Sequence, residues 1–294
     1  LRTLFLSITA IILSVLPATA ADLLIVQSQH REVYEQAIRL MQNKCAADSE
    51  LLVMSDYAEF DLGRIVREEQ PRLMIAVGDQ ALKEARKLRR TPVVYALTLN
   101  VDESSLGDNI NGVSMHVAPE LYLKLFKKLQ LHRIGMLYDP RKSGAYLKRV
   151  RDAFAGAGVE LVPLTVHSPR EVPAALERLQ ALSIDSLWMI PDSSAVAPAS
   201  VDAYFHFAQQ QSLPVISFAR GYLAKGAVAA LEGSRTAIAD QSCAIVKKIR
   251  NGVPAEELST VDINTTSIYT NENVAAKLQL KLSGLDRLFS SGSE

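Results

Sequence analysis

Six short polar clusters carry most of the residues in this chain that could do chemistry, and each follows directly on an apolar run. They are Gln27-Ser28-Gln29-His30, Gly78-Asp79-Gln80, Thr98-Leu99-Asn100, Tyr138-Asp139-Pro140, Pro191-Asp192-Ser193-Ser194 and Ser217-Phe218-Ala219-Arg220. Hydroxyls, amides and single carboxylates dominate them. That donor set suits recognition of a small polar solute better than bond breaking. Gln29, Asp79, Gln80, Thr98, Asp192, Ser193 and Ser194 are the expected polar contacts, with Tyr138 and Phe218 as walls. Asp79 or Asp192 can pair with an ammonium, while Ser193, Ser194 and nearby helix amides can hold a carboxylate. An amino-acid-like solute fits that set. On this reading Asp192→Ala abolishes solute binding without unfolding the chain. Ser, Asp and Asn at such turns are also ordinary helix caps, which is the competing reading of any one cluster.

Catalytic and cofactor motifs are missing. Gly112-Val113-Ser114-Met115-His116 begins like a nucleophile elbow but lacks the second glycine, and it follows an Asn-Gly turn. Gly156-Ala157-Gly158 stands after a helix and before a strand, the reverse of a dinucleotide-binding order. The five histidines form no H-x-H or H-E-x-x-H pair. No cofactor and no metal are expected.

The elements that must position these clusters alternate. Strands are expected at 23–27, 51–54, 73–77, 93–97, 133–138, 159–164, 186–190 and 214–218, several of them apolar throughout as strands buried on both faces are. Between them run stripes with helical period, such as Tyr122, Leu125, Phe126 and Leu129, or Val172, Ala175, Leu176 and Leu179. Such alternation predicts an α/β fold with parallel sheets flanked by helices. Two sheets are more economical than one very wide sheet. The break is expected near 113–119, after a turn at 109–112. In doubly wound sheets ligands bind at the carboxyl ends of the strands, where the polar clusters stand.

Composition bounds the partners. Lys plus Arg and Asp plus Glu are equal at 32 each, so nothing favours a nucleic-acid backbone. Apolar residues make up 48% of the chain, enough for a large core. Arg2, an apolar run over 4–16, Pro17 and Ala18-Thr19-Ala20-Ala21 have the pattern of a secretory signal peptide. Residues 1–21 are therefore expected to be removed and the mature chain to reside in the periplasm. No cysteine follows the run, so no lipid anchor is expected.

In order along the chain, the motifs resemble the ABC-transporter substrate-binding protein family that includes the tryptophan-binding TrpX-like proteins. They are Leu24-Ile25-Val26-Gln27 with His30, Val77-Gly78-Asp79-Gln80-Ala81, Asn109-Ile110-Asn111-Gly112-Val113-Ser114, Arg133 to Pro140, Met189 to Val196 and Lys225 to Leu231. Gly78-Asp79-Gln80 stands where that family has Gly-Thr-Pro, and Glu232-Gly233-Ser234-Arg235-Thr236 replaces a Gly-x-x-Tyr segment. The resemblance implies a type I periplasmic binding fold: two Rossmann-like lobes joined by a three-segment hinge. One lobe would comprise 22–115 with 235–263, the other 116–234 with 264–294. It implies a monomeric solute-binding component of an ABC importer, closing on a small polar or aromatic solute and handing it to a membrane permease. The same fold would also serve a periplasmic sensor reporting to a receptor kinase. An exported hydrolase is the remote alternative. Level placement of the two helices that carry Cys45 and Cys243 offsets the thiols by roughly 10 Å, which argues against a disulfide.

Overall fold

The computed structural model describes residues 22–99 and 101–289. The expected signal segment, 1–21, lies outside the described residues. The apolar runs become short strands packed side by side. β1 (Leu23–Gln27), β2 (Glu50–Val53), β3 (Leu73–Val77), β4 (Val93–Ala96) and β5 (Ile110–Val117) lie in the first sheet with α1 (Glu32–Cys45), α2 (Leu62–Glu69) and α3 (Asp79–Ala85) between them. β1 and β3 are buried at every position, because helices cover both faces of the sheet.

The second sheet is built from β6 (Arg133–Tyr138), β7 (Glu160–Thr165), β8 (Ser186–Trp188), β9 (Val215–Ser217) and β10 (Ala229–Gly233). Its helices are α4 (Pro119–Leu129), α5 (Pro140–Phe154), α6 (Val172–Gln180) and α7 (Val201–Gln211). After β10, α8 (Arg235–Arg250) packs against α1, and β11 (Val261–Ile263) joins the first sheet beside β5. Then β12 (Thr266–Thr270) pairs antiparallel with β10, and α9 (Glu272–Lys277) follows. The orders are β11-β5-β4-β3-β1-β2 and β12-β10-β9-β8-β6-β7.

The chain therefore crosses between sheets three times, at Ala118, Ser234 and Asn264. Backbone hydrogen bonds bundle these crossings: Ala118 N–H donates to Ile263 at 2.8 Å, and Ser234 N–H donates to Thr265 at 3.1 Å. One apolar core runs from Leu23 and Ile25 through Val117 and Ile263 to Trp188. Trp188 is fully buried, 4.5 Å from Tyr122 and stacked on Phe154.

Two expectations are corrected. Residues 109–112 are not a free turn, since Ile110 to Gly112 already pair in register with β4. Gly112 is needed there because a Cβ would come within 2.2 Å of the Tyr95 carbonyl oxygen. Cys45 and Cys243 are bonded, with their Cα atoms 5.6 Å apart. The rise along each helix is regular, but the helices are not level. Lys44 pairs with Asp240 and Cys45 with Cys243, so the end of α1 meets the middle of α8, and Arg250 at the end of α8 reaches back to the Cys45 carbonyl at 2.7 Å.

Candidate functional site

Topology alone sets the strand exits face to face. β5 is parallel to its sheet neighbours and ends where the chain leaves for the second sheet. β10 is parallel to β9 and ends where the chain returns. The carboxyl ends of the parallel strands of both sheets thus border one gap, bounded on one side by the three crossings.

On the first-lobe rim, Ser28 is a structural link. Its Oγ donates to the Val77 carbonyl at 3.0 Å and accepts the Ala81 N–H at 2.9 Å, so β1 caps α3. Gly78 has φ +89°, and a Cβ on it would meet Ser28 Oγ at 2.7 Å. Asp79 and Gln80 are exposed. Asp79 Oδ1 accepts the Leu99 N–H at 2.9 Å, joining the exits of β3 and β4. Gln29 is exposed and, with its carboxamide oxygen toward Arg31, accepts from Nε at 2.6 Å and Nη2 at 2.9 Å. Thr98 is buried, and its Oγ1 has no partner among the described residues. His30 binds Glu35 and Asp56, and those hydrogen bonds raise its pKa.

The second-lobe rim is a network of charge-assisted bonds. Asp192 is buried and uses both carboxylate oxygens. Oδ2 accepts from the Asp139 N–H and the Ser143 hydroxyl, both at 2.8 Å; Oδ1 accepts the N–H groups of Ser194 and Ala195 at 2.9 and 3.2 Å. Asp139 caps α5 through the Arg141 N–H and also binds the Arg141 guanidinium and the Ser194 hydroxyl. Burial works to raise the Asp139 pKa; the bonds from Arg141 and Ser194 outweigh it and hold it at about 2. Lys142 Nζ donates to Ser193 Oγ at 2.7 Å and Ser194 Oγ at 2.8 Å. Tyr138 is half-buried against the main core, and Phe218 packs edge-on to Tyr222 at 5.4 Å.

A cavity of about 710 Å³ opens between the lobes on the α1 and α8 side, within the usual size of small-molecule sites. Gln36, Arg39 and Asp240 line it from the first lobe, Glu232 and Tyr269 from the second. None of the nine residues expected from the sequence lines it. The segment 232–236, which supplies part of the lining, is the sequence feature that could have marked it. Arg220 frames this side, its N–H donating to Glu232 at 3.0 Å and its guanidinium 5.5 Å from the Tyr269 ring centre.

On the α5 side, Arg149 joins the lobes. It binds Asp262 on β11 through Nε at 2.7 Å and Nη2 at 2.8 Å, and Glu103 of the first lobe at 2.9 and 3.0 Å. Nearby, His116 stacks on Tyr146 with ring centres 4.1 Å apart, and among the described residues neither ring nitrogen has a partner. Burial pushes its pKa down to about 4; Asp262 opposes this and Arg149 adds to it. Among the described residues no group of His, Cys, Asp or Glu could hold a metal ion, and no helix is long and apolar enough to cross a membrane.

Two parallel-dominated, helix-flanked lobes with three crossings and a shared gap define the type I periplasmic binding fold. The model of the family described as ABC transporter substrate binding protein matches residues 57–288, and the chain belongs to that family. The family is one of binding proteins and not a class of enzymes. A domain from Streptococcus pneumonia in complex with L-Trp superposes with a TM-score of 0.62 at 15% identity, covering 92% of this chain and 98% of that one. A conserved domain protein from Vibrio cholerae gives 0.59 at 18% identity, over 92% and 99%. A ligand-free, open substrate-binding protein with adhesive properties from Clostridium difficile gives 0.60 at 17% identity, over 88% and 95%. A search of curated proteins found no match.

Proposed function

We propose that this chain is the solute-binding component of an ABC importer and holds a small, amino-acid-like solute between its lobes. The observation that carries this reading is the shared gap, which the strand exits of both sheets border. The moving bodies we assign are 22–115 with 235–263 and 116–234 with 264–294. Bending at the crossings closes them, and a solute that bridges both rims stabilises the closed form. A membrane permease then recognises that form. The chain acts as a monomer and binds without catalysing. The Cys45–Cys243 disulfide supports a location outside the cytoplasm, where such bonds persist.

Thermal-shift screening of the chain from residue 22 onward against amino acids and other small solutes tests the reading. A solute that binds only the folded state raises the melting temperature. The expected result is a concentration-dependent rise with one solute class. No rise with any solute contradicts it.

A further inference from the structure

We propose that the solute carries an anionic group, a carboxylate or a phosphate, and that this group docks on the second lobe at Lys142, with Ser193 and Ser194 beside it. The proposal rests on the solute-binding reading above and names the chemistry of its ligand.

Lys142 is a half-buried cation without a counter-charge. Its ammonium has three hydrogens to donate, and two go to the neutral hydroxyls of Ser193 and Ser194. Among the described residues no carboxylate lies within ion-pair distance of it. The nearest acid in the network, Asp139, is already engaged by Arg141, by the Ser194 hydroxyl and, at 3.8 Å, by His167. Arg141 in turn is matched by Asp139 and feels Asp102 of the first lobe. Within this network, and among the described residues, Lys142 is the cation left over.

Its place on the helix sharpens this. Arg141 and Lys142 lie in the first turn of α5, where the Asp139 carboxylate at the N-cap already matches the positive helix end and the Arg141 guanidinium. The Lys142 ammonium has only the two hydroxyls, and a bound anion would offset it.

The shelf is also held rigid. Ser194 Oγ donates to Asp139, which turns its lone pairs toward Lys142. The turn carrying Ser193 and Ser194 is pinned by the bonds from the Ser194 and Ala195 N–H groups to Asp192. An arriving anionic oxygen meets a preset donor and orders little further, which favours affinity.

The test compares acids with their neutral counterparts on the chain from residue 22 onward. L-phenylalanine, L-tryptophan, L-glutamate and succinate are set against their amides, and glycerol 3-phosphate and glucose 6-phosphate against the free alcohols. Binding is read by thermal shift and calorimetric titration. At least one acid is expected to bind about tenfold to a hundredfold tighter than its neutral partner, the range of one charge-assisted hydrogen bond. Whether a carboxylate or a phosphate does so identifies the group. Lys142→Met is expected to lose that preference and Lys142→Arg to keep part of it. Should Lys142→Met not fold, the acid-to-neutral comparison on the unmodified chain decides. A neutral partner that binds as tightly as its acid, or Lys142→Met with unchanged affinity for the acid, overturns the anion shelf and leaves the solute-binding reading standing. A rise with no solute, charged or neutral, overturns both.

Discussion

Asp192 commits both carboxylate oxygens to its own lobe, holding Asp139, Ser143 and the turn at Ser194 and Ala195. Its role is to shape the rim, and a solute would have to break one of these bonds to reach it. Asp192→Ala is therefore expected to cost about 3 kcal/mol of folding free energy, because it leaves buried donors unpaired. Urea unfolding measures this; a loss below about 1 kcal/mol would return Asp192 to the list of solute contacts. His116 makes stability depend on pH. Its folded pKa of about 4 lies below the ordinary 6.5, so the unfolded chain binds the extra proton between those values. The contribution of His116 is full above pH 6.5 and falls as pH drops toward 4, by up to about 1.4 kcal/mol per unit. Asp139 acts only lower, between 3.8 and about 2, so the two windows do not overlap. His116→Phe should flatten the dependence of the urea midpoint between pH 6.5 and 4, and an unchanged slope would contradict this. In the sequence Asp192 looked equally like a cap and a ligand, because both tasks use the same residue type at the same kind of turn. Lys142 gave no signal, since its isolation from carboxylates depends on partners about fifty residues away.

At the level of elements, single strands and helices were legible because their apolar periods are local. β1, β3 and β6 begin and end where the apolar runs do. Relations between elements were less so. The Asn-Gly pair at 111–112 has the residue types of a turn, yet the close approach of Tyr95 is what requires its glycine. The pairing of Cys45 with Cys243 depends on stagger between α1 and α8, which no count along either helix contains. That bond links residues 198 apart and ties α1 to α8 behind the cavity wall. Cys45→Ser is expected to lower unfolding free energy by about 2–4 kcal/mol. A midpoint unchanged by the substitution, or alkylation of both thiols in the native unreduced protein, would contradict the pairing. Arg149 shows the same distance effect: α5, the 101–105 loop and β11 meet only once the lobes are assembled.

For the whole molecule, regular β-α alternation and two groups of polar exits were enough to read two lobes and a gap. The cavity itself was not legible, because its lining comes from α1, β10, α8 and β12, which the three crossings bring together. The sequence clusters mark the strand-exit rims of the gap, whereas Glu232, Tyr269 and Arg39 line the cavity beside the crossings. On the proposed function, a solute held between the two rims draws the lobes together. Small-angle scattering on the chain from residue 22 onward, with and without the solute that raises its melting temperature most, tests that claim directly. A smaller radius of gyration and one solute bound per chain are expected. A bound solute that leaves the radius of gyration unchanged would contradict closure.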